Sequence, residues 1–135
     1  MVERFTTQLD GLINRTRAIL EEAAKESALQ IGRTVVQRTP VQTGFLAGSW
    51  FVSINNTSAS LQGSEDTTGS NSKARISSGL EAYELGDTIY ILNTTSYGAF
   101  VEFGTVKMAP RSFVRSTVGD APQIVSAAVR SFNLR

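Results

Sequence analysis

Apolar residues recur every three or four positions from Phe5 to about Arg38, which is the spacing of one face of an α-helix. The stripe consists of Phe5, Leu9, Leu12, Thr16, Ile19, Ala23, Ser27, Ile31 and Val35. Pro40 ends the pattern, because the residue before a proline is disfavoured in the helical region. The sequence predicts one helix over residues 1–38, about 50 Å long. Part of so long a helix is expected to project beyond the core or to pack on a neighbouring subunit.

Two segments then follow the period of a β-strand. In residues 50–55, Trp50, Val52 and Ile54 occupy alternate positions, which predicts a strand with one apolar face. Residues 88–93 are dense in β-branched and aromatic side chains and form the second predicted strand. Between these strands, twelve of the seventeen residues in 56–72 are Ser, Thr, Asn or Gly, which predicts a long flexible loop.

Helical segments occupy the remainder of the chain. A short helix is predicted within residues 73–85, with Ile76, Leu80 and Tyr83 on its buried face. Another is predicted over residues 97–103. Helical spacing returns after residue 111, along Val114, Val118, Ala121, Val125, Ala128 and Phe132. Gly119 and Pro122 interrupt this last pattern, so a kink or break is expected there, with Asp120 capping the second part.

This order of elements predicts an α+β fold in a single domain of residues 1–135. It combines a long N-terminal helix, a small antiparallel sheet with a long hairpin loop, short helices and a C-terminal helix. No apolar run approaches the roughly 18 residues of a membrane span, so no membrane partner is expected.

The composition argues against catalysis. The chain contains no Cys and no His, which removes thiol nucleophiles, the usual general base at neutral pH and the commonest metal ligands. The acidic residues form no convincing magnesium site. We therefore predict that the protein is not an enzyme and binds no metal and no cofactor.

Charge is distributed unevenly along a chain whose formal net charge is only +1. Residues 65–102 carry six acidic and two basic residues, whereas residues 107–135 carry five basic residues and one acidic residue. One interpretation is solvated surface with local ion pairs. The other is a subunit with complementary faces, as head-to-tail association in a ring requires.

Three cations near the last helix, Lys107, Arg111 and Arg115, are candidates for contact with another subunit or with DNA phosphates. Without interleaved exposed aromatic residues they are a weak nucleic-acid signature. Glu102 is expected to form an ion pair with one of them and so to fix the loop before the last helix. The aromatic residues beside it, three apart on the short predicted helix, are expected to belong to the core.

A series of short motifs follows in a fixed order along the chain. Their residues are Thr39-Pro40, Thr43-Gly44, Leu46, Asn93, Tyr97, Glu102-Phe103-Gly104 and Pro110-Arg111-Ser112-Phe113. Thr43-Gly44 has either a local role, in which Gly supplies a backbone conformation closed to other residues, or direct contact with a partner. Together with the long first helix, the series resembles the tail-completion (neck, or head–tail joining) proteins of long-tailed bacteriophages.

That resemblance implies a structural virion protein of the phage tail or neck, assembled in the host cytoplasm. Such proteins complete the tail and join it to the head connector as a ring, typically sixfold. The implied partners are further copies of the chain, the neighbouring connector or head-closure, tail terminator and tail tube proteins, and genome DNA that passes through the lumen without sequence recognition. Two alternatives stay open, namely a tail terminator that caps the tail tube and a small nucleic-acid-binding accessory protein.

Overall fold

The computed structural model describes residues 2–41, 44–57, 63–93, 95, 102–104 and 112–132. Three helices and two strands make up the described fold. In chain order they are α1 (Val2–Arg38), a short 3-10 turn (Ala47–Ser49), β1 (Trp50–Ile54), α2 (Ser70–Leu80), β2 (Ile89–Asn93) and α3 (Phe113–Ser131). The predicted α+β fold, with its long N-terminal helix, small antiparallel sheet and C-terminal helix, is confirmed.

The two strands pair antiparallel, so that Trp50 lies opposite Asn93 and Ile54 lies opposite Ile89. A sheet of only two strands is marginal alone and needs a helix to cover it. Helix α2 provides that cover, because it packs on β1 and also on α1. Helix α2 therefore connects the sheet to α1.

The core lies where α1, α2, β1 and the start of α3 meet. Its buried members are Ala28, Val35, Val36, Leu46, Trp50, Ile76, Leu80 and Phe113. Ile76 and Leu80 were predicted to face inward from the short helix, and both are buried, as is Tyr83 just beyond its end. All α1 residues in this cluster come from the C-terminal half of the helix.

Helix α3 runs antiparallel along that same half of α1. At one end, Arg38 forms an ion pair with Asp120 at 2.5 Å and donates to the hydroxyl of Ser116. At the other end, Phe132 lines the same small pocket as Glu22 and Leu29. The start of α1 therefore extends past the end of α3.

The predicted loop 56–72 extends too far at its C-terminal end. Helix α2 begins at Ser70, and Ser72 is fully buried. The Ser72 hydroxyl donates to the carbonyl of Ala47 and accepts from the backbone N–H of Trp50. A polar side chain can be buried when its hydrogen bonds are satisfied in this way. The helix also ends at Leu80, five residues before the predicted boundary.

Of the kink or break expected in the last helix, the break was wrong, because α3 is continuous through Pro122. Proline removes the N–H that would bond to the carbonyl of Val118, but that side of α3 faces solvent, and the Val118 side chain is exposed. Water can therefore satisfy the orphaned carbonyl. Asp120 does not cap a second helix, and instead forms the ion pair with Arg38.

Candidate functional site

The motif residues converge on Trp50. The indole Nε1–H donates a 2.9 Å hydrogen bond to Oγ1 of Thr39, which is itself buried at the end of α1 and donates to the carbonyl of Val35. The ring of Phe113, the first residue of α3, meets the indole edge to face at a centroid distance of 6.3 Å. Such aromatic pairs add about 0.5–1.5 kcal/mol to burial. Trp50 thus links α1 and α3 to the sheet.

The backbone of Trp50 is held by α2. Ser72 accepts from its N–H at 3.1 Å, and the guanidinium of Arg75 donates to its carbonyl at 2.6 Å and to that of Gly48 at 2.7 Å. Neither Ser72 nor Arg75 was singled out in the sequence. Their spacing of three residues places them on one side of a helix, but residues 70–72, the start of that helix, were predicted as loop.

Gly44 has the local role considered for it in the sequence. Its φ is +83°, in the left-handed region that favours glycine. A Cβ there would lie 2.6 Å from the backbone nitrogen of Thr67. The Gly44 carbonyl accepts from the N–H groups of Gly48 and Asp66, so it ties the start of the 3-10 turn to the segment before α2.

Leu46 and Asn93 connect that turn to the sheet. Leu46 is buried in the core, and its carbonyl accepts a 2.8 Å hydrogen bond from the side-chain amide of Asn93. The Asn93 side-chain carbonyl accepts from the N–H and the hydroxyl of Thr95. Asn93 therefore connects the end of β2 to Leu46 at the 3-10 turn and to Thr95, which follows the strand.

Glu102 lies at the N-terminus of α3. Its carboxylate accepts from the backbone N–H groups of Val114 at 2.8 Å and Arg115 at 3.0 Å, which have no partner within the helix. The Arg115 side chain adds a 3.1 Å ion pair to the same carboxylate. Of the three cations considered for Glu102 in the sequence, Arg115 is therefore the one that the described structure pairs with it.

The surroundings of Glu102 act in opposite directions on its ionisation. Burial would raise the pKa of the carboxyl. The backbone N–H groups of Arg115 and Val114, together with the Arg115 guanidinium, outweigh burial and hold the pKa below its usual value. Glu102 is therefore an ionised structural carboxylate at neutral pH.

Arg115 makes several contacts within its own chain. It donates to the Glu102 carbonyl and to the Ser112 hydroxyl, and its guanidinium lies 4.9 Å from the centroid of the Phe103 ring. Phe103 itself is exposed, which differs from the core position expected for it. Gly104 follows with a φ of +80°. A contact of Arg115 with a second subunit or with DNA stays a prediction.

Several predicted site residues lie outside the described residues. They are Thr43, Tyr97, Lys107, Pro110 and Arg111. Pro40 is described, directly after the end of α1, and is half-buried.

Within the described residues, no group of three or more acidic side chains is placed to hold a metal ion. None of the helices in the described part is long and apolar enough to cross a membrane. The motif residues instead connect secondary-structure elements to one another. They fix α1, the 3-10 turn, both strands and α3 around Trp50.

Comparison with known proteins identifies the family. No curated protein and no solved structure shows significant similarity to the chain. Residues 3–104 match the family model named HK97-gp10-like, whose description is "Bacteriophage HK97-gp10, putative tail-component". This match takes in α1, the 3-10 turn, the sheet, α2 and Glu102. The chain therefore belongs to the HK97-gp10-like family of bacteriophage tail components.

Proposed function

We propose that this tail component completes the phage tail and joins it to the head connector as one subunit of a ring, with sixfold symmetry. The observation that carries the proposal is the family match over residues 3–104. The order of the motifs continues beyond this match to Phe113. It supports the more specific role in tail completion and head–tail joining. On this proposal the protein acts by assembly alone, with no catalytic step.

The architecture suits such a role. A ring subunit must keep its shape while it contacts neighbours on either side and proteins above and below. The contacts around Trp50 fix four elements relative to one another, and α1 extends from this core. The proposed neighbours are further copies of the chain, the connector or head-closure protein, the tail terminator and the tail tube. Genome DNA would pass through the ring without sequence recognition.

The charge distribution adds a weaker argument. Arg115 is engaged with Glu102, so it contributes less to a free basic face than its sequence position indicates. Reversal of its charge would also remove contacts that hold the start of α3. A charge-reversal test of head–tail joining is therefore better confined to Arg111 and Lys107, so that the Arg115 side chain is left unchanged.

The direct test is electron microscopy of a phage lysate in which this reading frame carries an early stop codon. We expect filled heads beside tails of normal length that fail to join, and recovery of joined particles when the wild-type chain is supplied in trans. Tails longer than normal would instead assign the protein as a tail terminator. Normal infectious particles would contradict both roles, and salt-sensitive binding to random duplex DNA would then be the next measurement.

A further inference from the structure

Phe103 and Arg115 together form an exposed aromatic knob at the start of α3. The Phe103 side chain is 63% exposed, and the Arg115 guanidinium lies 4.9 Å from the centroid of its ring. Arg115 is itself held by Glu102 and by the hydroxyl of Ser112. An exposed aromatic ring that a fixed guanidinium keeps in place has the composition of the residues that contribute most to binding at protein interfaces.

The aromatic knob presents positive charge to its surroundings. The Glu102 side chain is only 5% exposed, whereas that of Arg115 is 53% exposed, so a partner surface meets the guanidinium and not the carboxylate. The Nε and Nη2 atoms of Arg115 donate within the chain, but Nη1 has no acceptor among the described residues. A partner can therefore place a carboxylate against Nη1 while it covers the Phe103 ring.

A pocket with an apolar floor lies between α1 and α2, beside the end of α3. The floor consists of Leu29, Leu80 and Phe132, and the volume of the pocket is about 260 Å³. A cavity of about 150 Å³ is enough to hold benzene. The pocket therefore has room for one aromatic side chain.

The rim of this pocket is acidic. It contains Glu22, Glu26 and Glu81 beside Lys25. Lys25 pairs with Glu22 and with Glu21, but Glu26 and Glu81 form no ion pair within the described residues. An apolar floor with carboxylates at its edge is the chemical complement of an aromatic ring that carries a guanidinium.

The aromatic knob and the pocket lie at opposite ends of α3. Arg115 is in the first turn of this helix, and Phe132 directly follows its last residue. The 19 residues of α3 span about 28 Å, so the knob cannot enter the pocket of its own chain. It can enter the pocket of a second copy. A contact between two different surfaces of identical subunits is the kind that builds a closed ring.

We propose that the aromatic knob of one copy inserts into the acidic-rimmed pocket of the next copy, head to tail. Phe103 then contacts Leu29, Leu80 and Phe132 of the neighbouring copy, and Arg115 faces its Glu26 and Glu81. This inference deepens the proposed function and rests on it for closure into a ring. It names the two surfaces through which the copies associate.

Sedimentation velocity of the purified full-length chain tests the knob. Phe103→Ala removes the ring, and Val118→Ala shortens an equally exposed apolar side chain outside both surfaces. We expect Val118→Ala to assemble like wild type and Phe103→Ala to assemble at least tenfold more weakly. All three chains should unfold at similar temperatures, because neither side chain is part of the core. A wild-type chain that stays monomeric over a wide concentration range, or Phe103→Ala that assembles like wild type, would overturn the proposal.

Charge reversal tests the acidic rim. Glu81→Lys places a cation where Arg115 of the neighbouring copy is expected, whereas Glu84→Lys makes the same change at an exposed position that does not line the pocket. Glu81→Lys should weaken assembly several-fold, with the larger effect at low salt. Equal effects of the two substitutions would contradict the role of the rim.

Photo-cross-linking identifies what occupies the pocket. Replacement of Phe103 by p-benzoylphenylalanine keeps an aromatic ring at the knob, and a mixture of isotope-labelled and unlabelled chains separates links between copies from links within one. We expect links to residues 22–29 or 77–81 of another copy. Links within one chain, or links between copies only at other segments, would overturn the assignment of the pocket.

The two proposals can fail separately. If the cross-links and the Phe103→Ala variant support the contact but the stop codon leaves normal particles, the interface stands and the head–tail role fails. If the stop codon blocks joining but Phe103→Ala supplied in trans restores normal yield, the role stands and the interface fails.

Discussion

Trp50 and Thr39 are joined by a 2.9 Å hydrogen bond from the indole Nε1–H to Oγ1, between two residues that are both buried. Thr39 was identified in the sequence only as part of a threonine–proline pair after a helix. Its hydroxyl satisfies the one polar group of a large aromatic side chain and at the same time bonds to the Val35 carbonyl at the end of α1. The motif residue thus has a structural role that connects the helix end to the sheet.

Thr39→Val should destabilise the fold while keeping the shape of the side chain. It leaves the Trp50 N–H buried without an acceptor, which costs about 1–3 kcal/mol in the free energy of unfolding. Thr39→Ser keeps the hydroxyl and should lose less. Urea unfolding followed by tryptophan fluorescence measures both, and equal midpoints for wild type and Thr39→Val would contradict the role given to this bond.

Glu102→Gln should destabilise the protein by about 1–3 kcal/mol at neutral pH, because it removes the charge that accepts two backbone N–H groups and the Arg115 guanidinium. The side-chain NH2 group of Gln would also bring a hydrogen-bond donor next to the N–H groups of Val114 and Arg115. The start of α3 should be the region most affected, which hydrogen exchange of Val114 and Arg115 would detect.

The same substitution should change the acid sensitivity of the fold. The pKa of Glu102 in the folded chain lies below its ordinary value of 4.5, so the folded state binds its proton less readily than the unfolded state. Its contribution to stability is therefore fully present above about pH 4.5 and is lost as pH falls through the folded pKa. The stability difference between wild type and Glu102→Gln should shrink over that range. Glu81→Gln, at an exposed position, is the matched control and should show a smaller change.

Two glycines should respond in opposite ways to alanine. A Cβ on Gly48 would collide with the backbone carbonyl of Ser64, and backbone cannot move aside as a flexible side chain can. Gly119, inside α3, has nothing within 4 Å of the same position. Gly48→Ala should destabilise by more than 2 kcal/mol, roughly the cost of strong overpacking, whereas Gly119→Ala should stabilise by about 0.5–1 kcal/mol. If thermal unfolding showed that both substitutions change stability in the same direction, the close approach at Gly48 would be contradicted.

Pro122→Ala should stabilise α3. It restores the N–H that can bond to the Val118 carbonyl and removes the ring from the helix interior, for a gain of about 1–3 kcal/mol. Gln123→Ala, at the adjacent exposed position, should change stability by less than about 0.5 kcal/mol. A loss of stability in Pro122→Ala would mean that the proline itself is needed for packing of this helix.

Local signals in the sequence predicted the long elements well. The end of α1 at Arg38 follows from Pro40 two residues later, and both strands were located to within a residue. The burial of Ile76, Leu80 and Tyr83 followed from spacing alone. These features depend on neighbours in sequence, which a pattern can display.

Features that depend on distant residues were missed. The polar start of α2 was predicted as loop because Ser72 is polar, yet its hydroxyl is satisfied by Ala47 and Trp50, more than twenty residues away. Glu102 was expected to pair with a cation, and it does so with Arg115, but its bonds to the backbone of α3 depend on the path of the chain between them. In both cases a tertiary partner decides what a polar residue does.

Because α1 is so long, its two halves differ in how strongly the rest of the chain stabilises them. Residues near its C-terminal end are packed in the core, so their amide hydrogens should exchange only on global unfolding. Residues 2–20 make a helix of about the length that is marginal alone in water, with no described element packed along their apolar side. Amide hydrogens of residues 2–20 should therefore exchange through local fraying of the helix, at a lower free-energy cost than those near Val35.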